Sequence, residues 1–258
     1  MADSLRIHYP IRYKNPLGTP VMVILGDNEA EIRAHLRFTP ALLRPYENAK
    51  GEDSEDSLLK MKPEGFTYAD AICEGIKKNW EGTYELPWYS NGSGHKFRVR
   101  VNIIRKDDPN AVYEKGQKFA KVQVAPFFAP SSFVMSDFWR WFWGLFYCGS
   151  LESFTLNWHP RFPGIINLKR YKTLRWYEQV AAHEFGHLIG IGDAYDAPYR
   201  FFYQLEGVSS YMMCYNRHVQ SEEIEMVLRA HLTRRMQFFP YKFSFKTFLK
   251  GVRDTFKH

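Results

Sequence analysis

The stretch from Ala182 to Asp193, AHEFGHLIGIGD, constrains the folding of this chain more than any other. Residues four apart on an α-helix lie one turn above each other. His183 and His187 therefore project from one face, where two imidazole nitrogens can sit about 2.0–2.1 Å from a single zinc ion. Glu184, next to the first histidine, is then placed for a water beside the metal rather than for the metal itself, as amide hydrolysis requires. Two imidazoles do not complete a catalytic site, which normally has three protein ligands and an open position. Gly190 falls where the helix can end on a residue with positive φ, so that the chain turns back and Asp193 reaches the metal. Asp196 and His218 are the rival third ligands. The bland reading, two half-buried helix histidines, leaves Glu184, Gly190 and Asp193 as coincidences.

The pattern HExxHxxGxxD resembles the metzincin clan of zinc peptidases. With Asp193 in place of the commoner third histidine it is similar to the snapalysin-type branch, whose motif also continues Asp-x-Tyr, as Asp193-Ala194-Tyr195 does here. Metzincins have a methionine turn beneath the metal, and Ser209–Tyr215 (SSYMMCY) stands at a matching place downstream. Two registers fit. Ser210 two before Met212 favours Met212 as the turn residue, whereas Met213 with Tyr215 follows the Met-x-Tyr spacing that would bring the Tyr215 hydroxyl to an oxyanion. A second resemblance, from about Ile72 to Leu232, is to the metallopeptidase toxin domains at the ends of Rhs-type and other secreted bacterial effectors. It rests on IKKNWEGTY, an alternating strand, a short strand before the motif, and VQSEEIEMVL after it.

These resemblances imply an α+β, metzincin-like domain: a twisted mixed sheet, a backing helix near 64–80, an active-site helix and a helical C-terminal part. They imply Zn2+ as cofactor, a protein or peptide substrate, and a zinc-dependent endopeptidase, an effector or toxin, with Glu184 as general base. The strand Gly164, Ile165, Ile166, Asn167 and Leu168 precedes the active helix as the substrate-binding edge strand does in metzincins. The alternative is a catalytically inactive zinc-binding or membrane-surface interaction protein.

Along the chain no internal repeat is visible. Val21–Leu25 reads as a buried strand ending at the Gly26-Asp27 turn, and 47–57 reads as an exposed polar loop. Pro63 stands where a first-turn proline would open a helix carrying Phe66, Ala69, Ile72, Ile76 and Trp80 on one face. Lys96–Arg105 and Phe119–Val124 alternate apolar with polar and predict strands with one solvated face. The active helix is predicted from about Leu174 to Ile189. A final one follows from about Glu222 to Leu232, with Ser221 as N-cap and acidic residues in its first turn. The expected division is an N-terminal strand and loop region over 1–60, possible as part of the same domain, the zinc peptidase domain over 61–239, and a C-terminal helix over 240–258.

Composition removes several classes. Hydrophobic residues at 45% and charged residues at 24% are ordinary for a globular chain of 258 residues and argue against extensive disorder. From Arg229 onward eight Lys and Arg stand against Asp254 alone, so the net charge of +7 resides in the tail and the rest sums to zero. A nucleic-acid binder spreads basic charge over a face of its domain, so no nucleic-acid partner is expected. Cys73, Cys148 and Cys214 are scattered and odd in number, which indicates neither a disulfide framework nor a zinc knuckle.

The start, MADSLRIHYPIRYKNP, lacks the apolar run of a signal peptide. The expectation is a cytoplasmic protein, or one secreted without a signal peptide through a specialised secretion system. The aromatic run Phe133–Cys148 is shorter than the ~20 apolar residues of a membrane helix and is broken by Asp137 and Arg140. Core packing is expected of its part Trp139–Phe146, ahead of a lid, a substrate-facing wall or a membrane-touching loop. In the tail, Phe245, Phe248, Leu249, Val252 and Phe256 share a helical face with lysines and arginines elsewhere. Such a basic amphipathic helix docks on its own domain or makes peripheral contact with an anionic membrane. The oligomeric state is left open.

Overall fold

The strand at the centre of the sheet has a composition closer to that of a helix. Glu29–Phe38 (EAEIRAHLRF) is rich in Ala, Glu and Arg, but Ala30, Ile32, Ala34, Leu36 and Phe38 alternate and are all buried. Period-two burial is what a sheet requires, and it overrides the local helix preference. In the computed structural model, which describes residues 11–47, 57–86, 96–129, 131–147, 156–171, 173–194 and 209–239, this strand is β2, after β1 (Val21–Leu25). There follow α1 (Ser57–Lys60), α2 (Tyr68–Trp80), β3 (Gly82–Glu85), β4 (Lys96–Arg105), β5 (Ala120–Val124), β6 (Phe133–Met135) and α3 (Phe138–Tyr147). β7 (Ile165–Leu168), α4 (Leu174–Leu188), α5 (Met212–Tyr215) and α6 (Ser221–Thr233) complete the order.

The molecule is mixed α/β with a seven-stranded mixed sheet. Parallel β4 covers one edge of β2, and the other edge is divided between antiparallel β1, over Ala30–Ala34, and parallel β5, over Leu36–Phe38. β3 closes one side antiparallel to β4. On the other side β5 pairs with β7, and β7 with antiparallel β6. The expectation that Gly164–Leu168 is the exposed substrate edge is therefore corrected. Ile165–Leu168 is bonded to β5 along one side, and Ile165–Asn167 to β6 along the other, so its backbone groups are spent. Gly164 itself, at φ +103°, is packed against Leu156 and Val134. The outer strand is the three-residue β6.

α2 and α4 lie side by side against the sheet, α2 over β4 and α4 over β7 and β6. They approach so closely at Gly75 that an added Cβ would lie 2.5 Å from the Glu178 carbonyl. α2 begins later than Pro63 suggested. Thr67 and Asp70 form a reciprocal capping box, which satisfies the first-turn donors, and Pro63 lies in the preceding turn. In α6, Gln220 and not Ser221 is the N-cap.

Residues 11–47 are part of this unit, since β2 is the sheet's middle. The Tyr13 hydroxyl also accepts the Val23 N–H at 2.7 Å and lies 2.9 Å from His231 Nδ1 on α6. Core packing is not the role of the first turns of α3, where Phe138 and Trp139 are 64% and 69% exposed. Among the described residues no helix is long and apolar enough to cross a membrane, and Cys73 and Cys214 form no disulfide. The expected 240–258 helix, Cys148, Tyr195 and Asp196 lie outside the described residues.

Candidate metal centre

The helix that carries the motif is fixed at both ends before any ligand is considered. Thr173 caps its start by accepting the Trp176 N–H at 3.3 Å, and the buried Trp80 indole donates to the Ala182 carbonyl at 2.8 Å, one residue before His183. Its C-terminus is a full glycine cap. Ile191 N–H bonds back to Gly186 O and Gly190 N–H to His187 O, both at 3.1 Å, with Gly190 at φ +101°. Space demands the same residue, because a Cβ on Gly190 would stand 2.6 Å from the Trp158 ring, whose indole N–H donates to Leu188 O at 2.9 Å.

The return loop is then held from outside the helix. Gly192 N–H bonds to Gln237 O at 2.8 Å, Gln237 N–H to Gly190 O at 2.9 Å, and Ala194 N–H to Met213 O at 2.8 Å. These contacts deliver the Asp193 carboxylate, whose Oδ1 lies 3.0 Å from His183 Nε2 and 3.4 Å from His187 Nε2. Ligands at about 2.0–2.1 Å around a tetrahedral ion stand roughly 3.3 Å apart, so both separations fit a metal of zinc's size. His183, His187 and Asp193 form the one such His/Cys/Asp/Glu group among the described residues. His218 is not in it.

Protonation follows from the partners. His183 Nδ1 is 2.8 Å from Met212 O and His187 Nδ1 is 3.0 Å from Ile191 O. A carbonyl only accepts, so each Nδ1 carries a proton toward its carbonyl and each Nε2 faces Asp193. Were both rings neutral, two Nε2 lone pairs and a carboxylate would repel one another unless a cation or a proton lay among them. Burial alone would raise the Asp193 carboxyl, but His187 and then His183 outweigh it and hold the carboxyl below its ordinary range. Glu184 is buried immediately after His183.

The two methionines of α5 play different parts. Met213 fills the notch at Gly186, where an added Cβ would be 2.3 Å from its sulfur, while Met212 contributes its backbone carbonyl to His183. The Met213 thioether thus packs against α4, whereas the position of Ser210 favours Met212 as the turn residue. Tyr215 is 53% exposed at the end of α5.

Sequence reasoning missed three supports: Trp158, the backbone of Gln237, and Glu223. Glu223, read as a first-turn helix acid, is fully buried, and its carboxylate accepts from Met213 N–H at 2.8 Å, Gln220 N–H at 2.7 Å and Met212 N–H at 3.4 Å. Burial pushes its carboxyl up to about 7 in spite of those bonds. The Gln-x-x-Glu spacing signals a capping box, but nothing local shows the reach to Met213. A scan against protein-family models finds no match for this chain, and comparison with curated proteins and with solved structures likewise finds none.

Proposed function

We propose that the chain is a zinc-dependent endopeptidase in which His183, His187 and Asp193 hold Zn2+ and Glu184 is the general base. The observation that carries this reading is the convergence of two Nε2 atoms and a carboxylate oxygen at 3.0 and 3.4 Å, with Glu184 adjacent in sequence. Three protein ligands rather than four match a catalytic and not a structural zinc. Bound zinc would supply Lewis acidity, acidifying a water and polarising the scissile carbonyl. Glu184 takes the proton from the attacking water and returns it to the leaving amine. Its place directly after His183, on the helix that carries both histidines, is what assigns it that role.

The substrate side follows from the sheet. β6 is the outermost strand and α4 packs beneath β6 and β7, so an extended peptide adding to β6 would lie over the helix that carries the ligands. Metal analysis of purified protein tests the first half of the proposal. One zinc per chain is expected, lost in His183→Ala and His187→Ala. Cleavage of unfolded casein and of a mixed peptide library tests the second, with Glu184→Gln retaining zinc and losing activity. Undiminished cleavage by Glu184→Gln would remove the assigned base, and a wild type that takes up no zinc would remove the metal site.

A further inference from the structure

His183 and His187 are held by the same kind of device, a peptide group gripped at both ends, but the two devices end differently. The Met212 carbonyl that accepts from His183 Nδ1 belongs to the peptide group whose N–H, on Met213, donates to Glu223 Oε1; both bonds are 2.8 Å long. The Ile191 carbonyl that accepts from His187 Nδ1 belongs to the peptide group whose N–H, on Gly192, donates at 2.8 Å to the backbone carbonyl of Gln237. One series terminates in a carboxylate and the other in a neutral oxygen.

We propose that Glu223 is a positioning residue for the metal centre, the outer carboxylate of His183, acting through the Met212–Met213 peptide group. The peptide is planar and conjugated, so a carboxylate on its N–H moves electron density to its carbonyl oxygen and makes that oxygen a stronger acceptor. A stronger acceptor on Nδ1–H makes Nε2 a better donor to a metal and fixes the ring's orientation, the role a direct carboxylate partner plays for many metal-bound histidines. The second carboxylate oxygen holds the arrangement in register. Glu223 Oε2 accepts from Gln220 N–H at 2.7 Å and Met212 N–H at 3.4 Å, which ties the start of α6 to the turn. A carboxylate this deeply buried is costly unless it is bonded, and three backbone donors offset part of that cost. The adjacent Glu222 is exposed, bonds to the Tyr211 hydroxyl at 2.7 Å, and provides a matched control.

The inference rests on the zinc reading, and two measurements separate them. In wild-type protein labelled with 15N-histidine, zinc-loaded, the His183 Nδ1–H proton should resonate downfield of that of His187, each assigned by its nuclear Overhauser contacts, to Met212–Met213 and to Ile191–Gly192 respectively. Equal positions, or the reverse order, would overturn the relay without any variant of Glu223. In Glu223→Gln, zinc affinity by chelator competition should fall about 10–100-fold, the usual effect of losing an outer partner, and the His183 signal should move upfield while that of His187 stays. Glu222→Gln should change neither. Glu223→Met, which removes the charge without burying an amide, serves if the Gln variant does not fold. Unaltered zinc affinity and an unmoved His183 signal in a folded Glu223 variant would refute the proposal. If wild type takes up no zinc, the metal reading fails, while the order of the two Nδ1–H signals in the metal-free protein still decides the relay.

Discussion

Replacing Gly190 by Ala isolates how the chain turns Asp193 back toward the histidines. Two costs add at this position. Gly190 sits at φ +101°, where a side chain strains the backbone by about 1–3 kcal/mol. The new methyl would also lie 2.6–2.8 Å from three atoms of the Trp158 ring, and overpacking of this kind adds about 1–3 kcal/mol. The sum, about 2–6 kcal/mol, is a large part of the roughly 5–15 kcal/mol that holds a typical domain.

Gly116 supplies the control. It has φ +93° with nothing within 4 Å of an added Cβ, so Gly116→Ala carries the backbone cost and the same change in the unfolded chain, without the clash. In urea unfolding followed by far-UV circular dichroism, Gly190→Ala should be less stable than Gly116→Ala by at least about 1 kcal/mol. It should also bind zinc more weakly, since the loop that carries Asp193 must shift. Equal stability of the two variants would refute the argument that Trp158 enforces the glycine.

Three further outcomes follow. Asp193→Ala removes a ligand, and zinc affinity by chelator competition should drop beyond the roughly 10–100-fold that loss of an outer partner costs. With Met213 as the methionine that packs on the ligand helix, Tyr215 stands at the Met-x-Tyr spacing. Tyr215→Phe should lower kcat with unchanged melting temperature, about 10-fold or more if the hydroxyl donates to the oxyanion. His231 is buried and driven down to about 3, first by burial. It stays neutral in the fold while the unfolded chain takes up a proton below about 6.5, so its contribution is complete above that pH and is lost as pH falls. The stability gap between wild type and His231→Gln should therefore narrow by about 2 kcal/mol between pH 7 and pH 5 in urea titrations; a constant gap would contradict the buried neutral ring.

Where physics is local, the sequence was sufficient. A histidine pair at helical spacing, a glycine that alone tolerates φ +101°, and an aspartate three residues beyond it located the trio that the fold brings together. A short apolar run before a turn likewise identified β1, and alternation β4, with their ends. Tertiary structure decided what depends on residues far apart in the chain. Glu29–Phe38, composed like a helix, became the central strand because both of its edges found partners. Ile165–Leu168 became an inner strand because the short β6 covers it, a pairing that neither segment announces. Which methionine faces the notch at Gly186 depends on how the turn packs on α4, and the neighbours Ser210 and Tyr215 point to opposite choices in the sequence. Glu223 reads as an ordinary first-turn acid, since a sequence shows which groups can donate or accept but not which buried N–H will come within 2.8 Å of a carboxylate once the helices have packed.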